Sequence, residues 1–184
     1  MKFKEKYQKE ILPALLKEFA YKNKMLAPRL SKVVINVGCG RHTKDKEFLA
    51  AISKGLEKIS GQKPVFTLAK QSISAFKIRE GMTVGAKVTL RGDRMYDFVE
   101  KLVNITFPRV RDFRGISDKS VDRNGNMTLG FKDQSAFPEV RVEDMDNSFG
   151  LEISFSTTAK TREEGLGMFK LMGFPFKRDN KESK

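Results

Sequence analysis

The sequence predicts an α+β fold, with a mainly antiparallel sheet whose one face is covered by packed helices. Two observations carry this. Segments with apolar residues at helical spacing alternate irregularly with short β-branched runs, without the strict strand–helix repeat of a parallel α/β sheet. And the run Leu151-Glu152-Ile153-Ser154-Phe155-Ser156-Thr157 alternates between apolar and polar residues, as a strand does when only one face is buried. A chain of 184 residues can bury a sizeable core, and we expect one domain over residues 1–176 with a basic, frayed tail at 177–184.

The elements follow in order. Residues 2–20 carry Phe3, Tyr7, Ile11, Leu15 and Phe19 at intervals of four, with Leu12 and Leu16 widening the stripe into an amphipathic helix that Pro13 should break or restart. After Pro28 the β-branched run Lys32-Val33-Val34-Ile35-Asn36-Val37 is a strand. Helical spacing returns at 45–60 through Phe48, Leu49, Ile52, Leu56 and Ile59, and Gly61 is placed to cap the end. Strands at 64–68 and 84–90 flank a long connection, 69–83. A third helix spans 93–104, with Met95, Phe98, Val99 and Leu102 on one side and Pro108 as a stop. Arg123-Asn124-Gly125-Asn126 is a turn between short extended pieces, and the last helix runs from Thr161 to Met172 before Gly173.

Alternation gives the sheet two chemically distinct surfaces. Val33, Ile35 and Val37 oppose Lys32, Val34, Asn36 and Gly38; Ala86, Val88 and Leu90 oppose Lys87, Thr89 and Arg91; Leu151, Ile153 and Phe155 oppose Glu152, Ser154, Ser156 and Thr158. One surface is apolar. The other offers amides, hydroxyls and cations, the groups that bond phosphates, riboses and base edges. A solvated sheet face is polar in any case, so charge has to decide between the two readings.

Charge decides for binding. Thirty-six Lys and Arg against 23 Asp and Glu leave a formal +13, which calls for a polyanionic partner. No helix combines a strong apolar face with a dense basic one, and no 18-residue apolar run occurs, so nucleic acid fits better than a membrane. Residues 70–92 concentrate the imbalance: Lys70, Lys77, Arg79, Lys87 and Arg91 stand against Glu80 alone. Phe76 lies inside this polar stretch, where an exposed ring would stack on a base and a buried one would pack under its own loop.

Catalytic motifs are weak. The strand ending in Gly38-Cys39-Gly40 is similar to a nucleotide-cofactor turn, as in methyltransferases that use S-adenosylmethionine, but Asn36 stands where an acid is usual and Thr43 where a third glycine is. We expect Gly38 and Gly40 instead to let the chain turn tightly and present backbone N–H groups beside Arg41 and Lys44. Cys39 and His42 are the only cysteine and histidine, too few for a closed zinc site, and nothing nearby orients them as a nucleophile pair. No metal, cofactor or catalytic residue is expected. Glu139, Glu143, Asp144 and Asp146 form the one acidic cluster, open to three readings: solvated loop charges, the commonest case, paired carboxylates that hold magnesium, or a docking patch that repels nucleic acid locally and attracts a basic protein.

Residues 61–92 (GQKPVFTLAKQSISAFKIREGMTVGAKVTLRG), 94–115 (RMYDFVEKLVNITFPRVRDFRG) and 157–176 (TTAKTREEGLGMFKLMGFPF) resemble the bacterial large-subunit ribosomal proteins of the L5 family. The resemblance extends over about residues 2–176. It implies a non-catalytic constituent of the cytoplasmic ribosome that binds 5S rRNA and helps attach it in the central protuberance, among other large-subunit components. It makes the polar sheet face an RNA-binding face: Asn36, Gln62 and Thr89 match positions the family uses, with Gly38, Lys63, Thr67, Lys70, Lys87 and Arg91 inferred beside them. The loop carrying Ser72, Ser74, Phe76, Lys77 and Arg79 is similar to the one that reaches the peptidyl-site tRNA, with Gly81 and Gly85 permitting adjustment. Glu139, Glu143, Asp144 and Asp146 correspond to the region that meets a basic small-subunit head protein across an intersubunit bridge. A sequence-tolerant single-strand binder and an RNA methyltransferase are the competing readings.

Overall fold

Residues 3–18 form one helix, α1, in three consecutive stretches: an α-helical Phe3–Lys6, a wider π turn at Tyr7–Ile11 and an α-helical Leu12–Glu18. The computed structural model describes residues 2–40, 45–140 and 148–177. Pro13 does not break α1. The backbone N–H of Leu12 reaches back five residues to the Tyr7 carbonyl, so the turn that precedes the proline is already widened where its ring would meet the chain. The same device recurs in α3, which joins Gly92–Lys101, a π turn at Leu102–Thr106 and Phe107–Arg109, with Phe107 N–H donating to Leu102 O ahead of Pro108. The helix expected to end near residue 104 therefore runs to Arg109.

Helix α2, Lys46–Ser60, starts where the Asp45 carboxylate accepts from the N–H groups of Glu47 and Phe48 at 3.1 Å each, and stops at Gly61, whose φ of 67° is the left-handed cap expected of a glycine. Helix α4, Arg162–Leu171, is capped by the Thr161 hydroxyl accepting from Glu164 N–H, and Gly173 follows it at φ 88°. The strands are β1 (Leu30–Gly38), β2 (Val65–Leu68), β3 (Thr83–Leu90), β4 (Met127–Phe131) and β5 (Leu151–Thr157). They form one five-stranded antiparallel sheet in the order β2-β3-β1-β5-β4, and the fold is α+β. In the β2–β3 pair Val65 lies opposite Lys87, Phe66 opposite Ala86 and Thr67 opposite Gly85, with an irregularity between Thr67 and Leu68.

The chain groups into two compact units. The first comprises Met1–Val33, Arg91–Leu129 and Ser154–Lys184. Phe3, Tyr7, Ile11 and Leu15 line the buried side of α1, and Phe98, Val99, Leu102 and Phe107 that of α3. Its aromatic centre is a triangle of edge-on rings: Phe155 with Phe169 at 5.9 Å, Phe155 with Phe174 at 5.4 Å and Phe169 with Phe174 at 5.3 Å.

The second unit comprises Val34–Leu90 and Gly130–Ile153. Here Ile52, Leu56 and Ile59 of α2, spaced on one face, are buried, each contributing roughly 1.5–3 kcal/mol by leaving water. Ile35 and Val37 of β1 and Ala86, Val88 and Leu90 of β3 complete the apolar side predicted from alternation. Gly55 of α2 makes room for the Phe149 ring, whose Cζ would lie 2.8 Å from an added Cβ.

Candidate nucleic-acid interface

Alternation delivers the polar side of the second unit. Asn36 is exposed between buried Ile35 and Val37 on β1, and Gly38 is the next outward position. On β3, next to β1 in the sheet, exposed Lys87 and half-buried Thr89 point away from buried Ala86, Val88 and Leu90. Gln62 emerges just after the α2 cap, with its N–H held by the Ser60 hydroxyl at 3.2 Å, and its carboxamide nitrogen donates to the Thr89 carbonyl at 3.4 Å. One N–H of Gln62 is used in that bond, and the carboxamide keeps further donor and acceptor capacity beside the Thr89 hydroxyl.

Gly85 explains how Thr67 joins this surface. A Cβ on Gly85 would lie 2.9 Å from the Val37 carbonyl and 3.0 Å from Thr67 Oγ1, so its bare backbone is what lets β1 and the Thr67 hydroxyl approach. The expectation that Gly85 serves loop adjustment is thereby corrected: it is a buried close-approach position inside β3. Gly38 is corrected too, since it continues β1 without a positive φ rather than turning the chain. Lys63 and Lys70 stand exposed on either side of β2. Arg91 is exposed directly after β3 but belongs to the first unit.

The connection at 69–82 is a braced arm. Ala69 N–H donates to Met82 O at 2.8 Å and Gly81 N–H to Ala69 O at 3.0 Å, closing its base, with Gly81 at φ 81°. Further out, Ile73 and Ile78 bridge in antiparallel fashion with bonds of 2.9 and 3.2 Å, and the Ser72 hydroxyl accepts from Glu80 N–H at 2.9 Å. The tip is the single 3-10 turn Ser74–Phe76, closed by Lys77 in the left-handed region at φ 55°. Phe76 is 70 % exposed, which eliminates packing under its own loop, and Lys77 and Arg79 are exposed beside it. Ser72 is thus committed to bracing the arm, while Phe76, Lys77 and Arg79 are presented.

Three outward apolar groups were not anticipated. Val65, Leu68 and Ile73 are 62, 58 and 43 % exposed, and Val65 shares the Lys87 side through their pairing. An edge position would have flagged Val65 and Leu68 of β2, but sequence alone does not say which strand ends a sheet. Glu139 is half-buried in the second unit, whereas Glu143, Asp144 and Asp146 lie outside the described residues, as do Arg41, His42 and Lys44. Cys39 is buried and burial pushes its thiol up, which disfavours the thiolate a nucleophile needs.

A cationic α+β chain with an amide- and hydroxyl-bearing strand face and a braced basic arm has the chemistry of a protein that holds polyanions. Two family models match it in tandem: "Ribosomal protein L5" over residues 23–79, and the C-terminus of the same ribosomal family over residues 83–176. Curated relatives named large ribosomal subunit protein uL5 align over nearly the whole length. That of Carboxydothermus hydrogenoformans is 49% identical over 177 residues (96% of this chain, 99% of the relative), and that of Symbiobacterium thermophilum is 53% identical over 173 (94% and 96%). The chain belongs to the ribosomal protein L5 family. It is a ribosomal protein of the large subunit, and not an enzyme.

Proposed function

We propose that the chain binds 5S rRNA through the outward side of β1, β2 and β3 and helps attach it in the central protuberance of a cytoplasmic ribosome. The carrying observation is the adjacency of Gln62 and Thr89, joined by a hydrogen bond, with Asn36 exposed on the neighbouring strand β1. Amide and hydroxyl groups there suit ribose and base edges, Gly38 and Thr67 leave room and a further hydroxyl, and Lys63, Lys70, Lys87 and Arg91 meet phosphates. The arm offers Phe76, Lys77 and Arg79 to the peptidyl-site tRNA, with Ser74 in its tip and Ser72 holding its shape. Glu139, with Glu143, Asp144 and Asp146 further along the sequence, serves a basic protein of the small-subunit head.

Binding of 5S rRNA to Asn36→Ala and Thr89→Ala variants tests the reading. Each loses a neutral hydrogen bond, about 0.5–1.5 kcal/mol or roughly two- to tenfold in affinity, without a change in melting temperature. Four cation–phosphate contacts give a log–log salt slope of about −3. Unchanged affinity in both variants, or equal affinity for random RNA of the same length, would remove the strand-face site and favour a sequence-tolerant binder. Lys77→Gln with Arg79→Gln should leave 5S affinity intact and reduce crosslinking to tRNA on assembled ribosomes.

A further inference from the structure

The turn Arg123-Asn124-Gly125-Asn126 lies wholly in the first compact unit and takes no part in the strand face or the arm. It holds the only Asn-Gly pair in the sequence. In such a pair the carboxamide carbon can be reached by the next main-chain nitrogen, and glycine has no side chain to hinder the closing of a five-membered ring. Asn124 is exposed, and its carboxamide forms no hydrogen bond among the described residues. Asn126 is the contrast: its Nδ2 donates to Asp122 Oδ2 at 3.0 Å, its Oδ1 accepts from Thr157 N–H at 2.9 Å, and bulky Met127 follows it.

The electrophile is open; the fold withholds the nucleophile. Gly125 is buried, its N–H donates to Asp122 O at 3.2 Å, and its carbonyl accepts from the Thr157 hydroxyl at 3.0 Å. The Asp122 carboxylate accepts from the N–H groups of Asn124 at 2.9 Å and Asn126 at 2.8 Å, and Asp122 N–H donates to Asn126 O at 2.8 Å, which closes the turn at its base. Gly125 sits at φ 76° against the first turn of α4. A Cβ added to Gly165 would lie 2.5 Å from Gly125 Cα, and one added to Gly125 would lie 2.6 Å from Ala159 Cβ. Two glycines in contact leave Gly125 no room to swing its nitrogen onto Asn124 until the turn comes off α4.

We propose that Asn124 is a deamidation site that the fold keeps latent, reacting in the open chain and held off once the turn docks on α4. In the open chain the Gly125 nitrogen attacks Asn124 Cγ. A C–N bond forms, the Cγ–Nδ2 bond breaks, and Nδ2 leaves as ammonia with the proton that Gly125 gives up. Water then opens the succinimide at either carbonyl. Opening at Cγ leaves an aspartate in a normal main chain; opening at the main-chain carbonyl leaves an isoaspartate, with one more atom in the main chain ahead of Gly125. That extra atom displaces Gly125 where it touches Gly165 and Ala159, so a chain that has taken the isoaspartyl route cannot close its turn on α4.

Peptide mass spectrometry of the full-length protein, held in mildly alkaline buffer with or without denaturing urea, follows the change from carboxamide to carboxyl at position 124. The unfolded chain should convert at least about tenfold faster than the folded one, which reacts only through local opening. Asp122→Ala removes the brace from the Asn124 and Asn126 N–H groups without touching a reacting atom. It should raise the folded rate severalfold and leave the rate in urea unchanged. Thr157→Val, which removes the hydroxyl that holds the Gly125 carbonyl, should do the same, and circular dichroism melts establish that each variant folds; if Asp122→Ala does not, Thr157→Val decides. Equal rates with and without urea, no conversion in urea, or a folded rate that neither variant raises would overturn the proposal. After urea is removed, the isoaspartyl fraction should fail to regain the parent's melting transition, whereas Asn124→Asp, with the same carboxyl on a normal main chain, should show it. A native transition in the isoaspartyl fraction would overturn the packing argument at Gly165.

Discussion

Gly85→Ala should destabilise the protein, whereas Gly38→Ala, at an exposed glycine on the adjacent strand, should not. At Gly85 the new methyl would sit 2.9 Å from the Val37 carbonyl oxygen, when ordinary contacts begin at 3.4 Å, so about half an ångström must be found. The oxygen belongs to the β1 backbone. Thr67 Oγ1, at 3.0 Å, can rotate away, but the carbonyl can move only if the ladder between β1 and β3 opens. Overpacking of this kind costs about 1–3 kcal/mol. For a chain of this length that corresponds to a fall in melting temperature of about 2–12 °C. At Gly38 an added Cβ meets nothing within 4 Å and the backbone needs no positive φ, so alanine should be neutral or stabilise by up to about 1 kcal/mol through the unfolded chain. Differential scanning calorimetry of both variants is the assay. Equal melting temperatures for the two would refute the close approach at Gly85.

Phe155→Ala removes a fully buried ring from the Phe155, Phe169 and Phe174 triangle and should cost about 3–5 kcal/mol, read as a lower urea midpoint; a cost under about 1 kcal/mol would mean the triangle does not organise the first unit. Lys4 and Asp93 form an exposed ion pair at 2.7 Å, in which the Lys4 ammonium holds the Asp93 carboxyl below its ordinary 3.8 and Asp93 raises the Lys4 ammonium. Because the folded-state carboxyl is the more acidic, its stabilisation is present above about pH 4 and disappears as pH falls through the depressed value. Melting curves of Asp93→Asn and the parent should therefore differ slightly near neutrality and converge as pH falls through the depressed value, and the difference near neutrality should shrink in high salt; a gap that widens on acidification contradicts the pairing. Cys39, buried with its thiol pushed up, should resist alkylation in buffer and react promptly in urea, as followed by mass spectrometry.

What the sequence made legible was whatever depends on local periodicity. The four helices, the alternation of β1, β3 and β5, and the glycine caps at Gly61 and Gly173 were all readable, because each is written in residues a few positions apart. Asn36 and Thr89 were readable as outward groups for the same reason. Their neighbourhood with Gln62 was not, because it depends on strand order. The prolines misled: Pro13 and Pro108 sit where a local rule ends a helix, and the π turns that spare both are set by packing of Tyr7, Ile11, Leu102 and Thr106, which are buried. Gly85 misled in the opposite sense, since a glycine needed for absence of bulk is indistinguishable in sequence from one needed for freedom.

Strand β2 ends its sheet with Val65, Phe66 and Leu68 substantially exposed, a template on which a second molecule could add its own strand. Lys63 and Lys70 bracket that edge, and no acid occurs between them to cancel their repulsion of an identical copy. The lysines proposed to meet phosphates therefore also act as gatekeepers against self-association of the free protein. Concentrated salt, by muting them, should make the free protein precipitate, and bound RNA should keep it in solution.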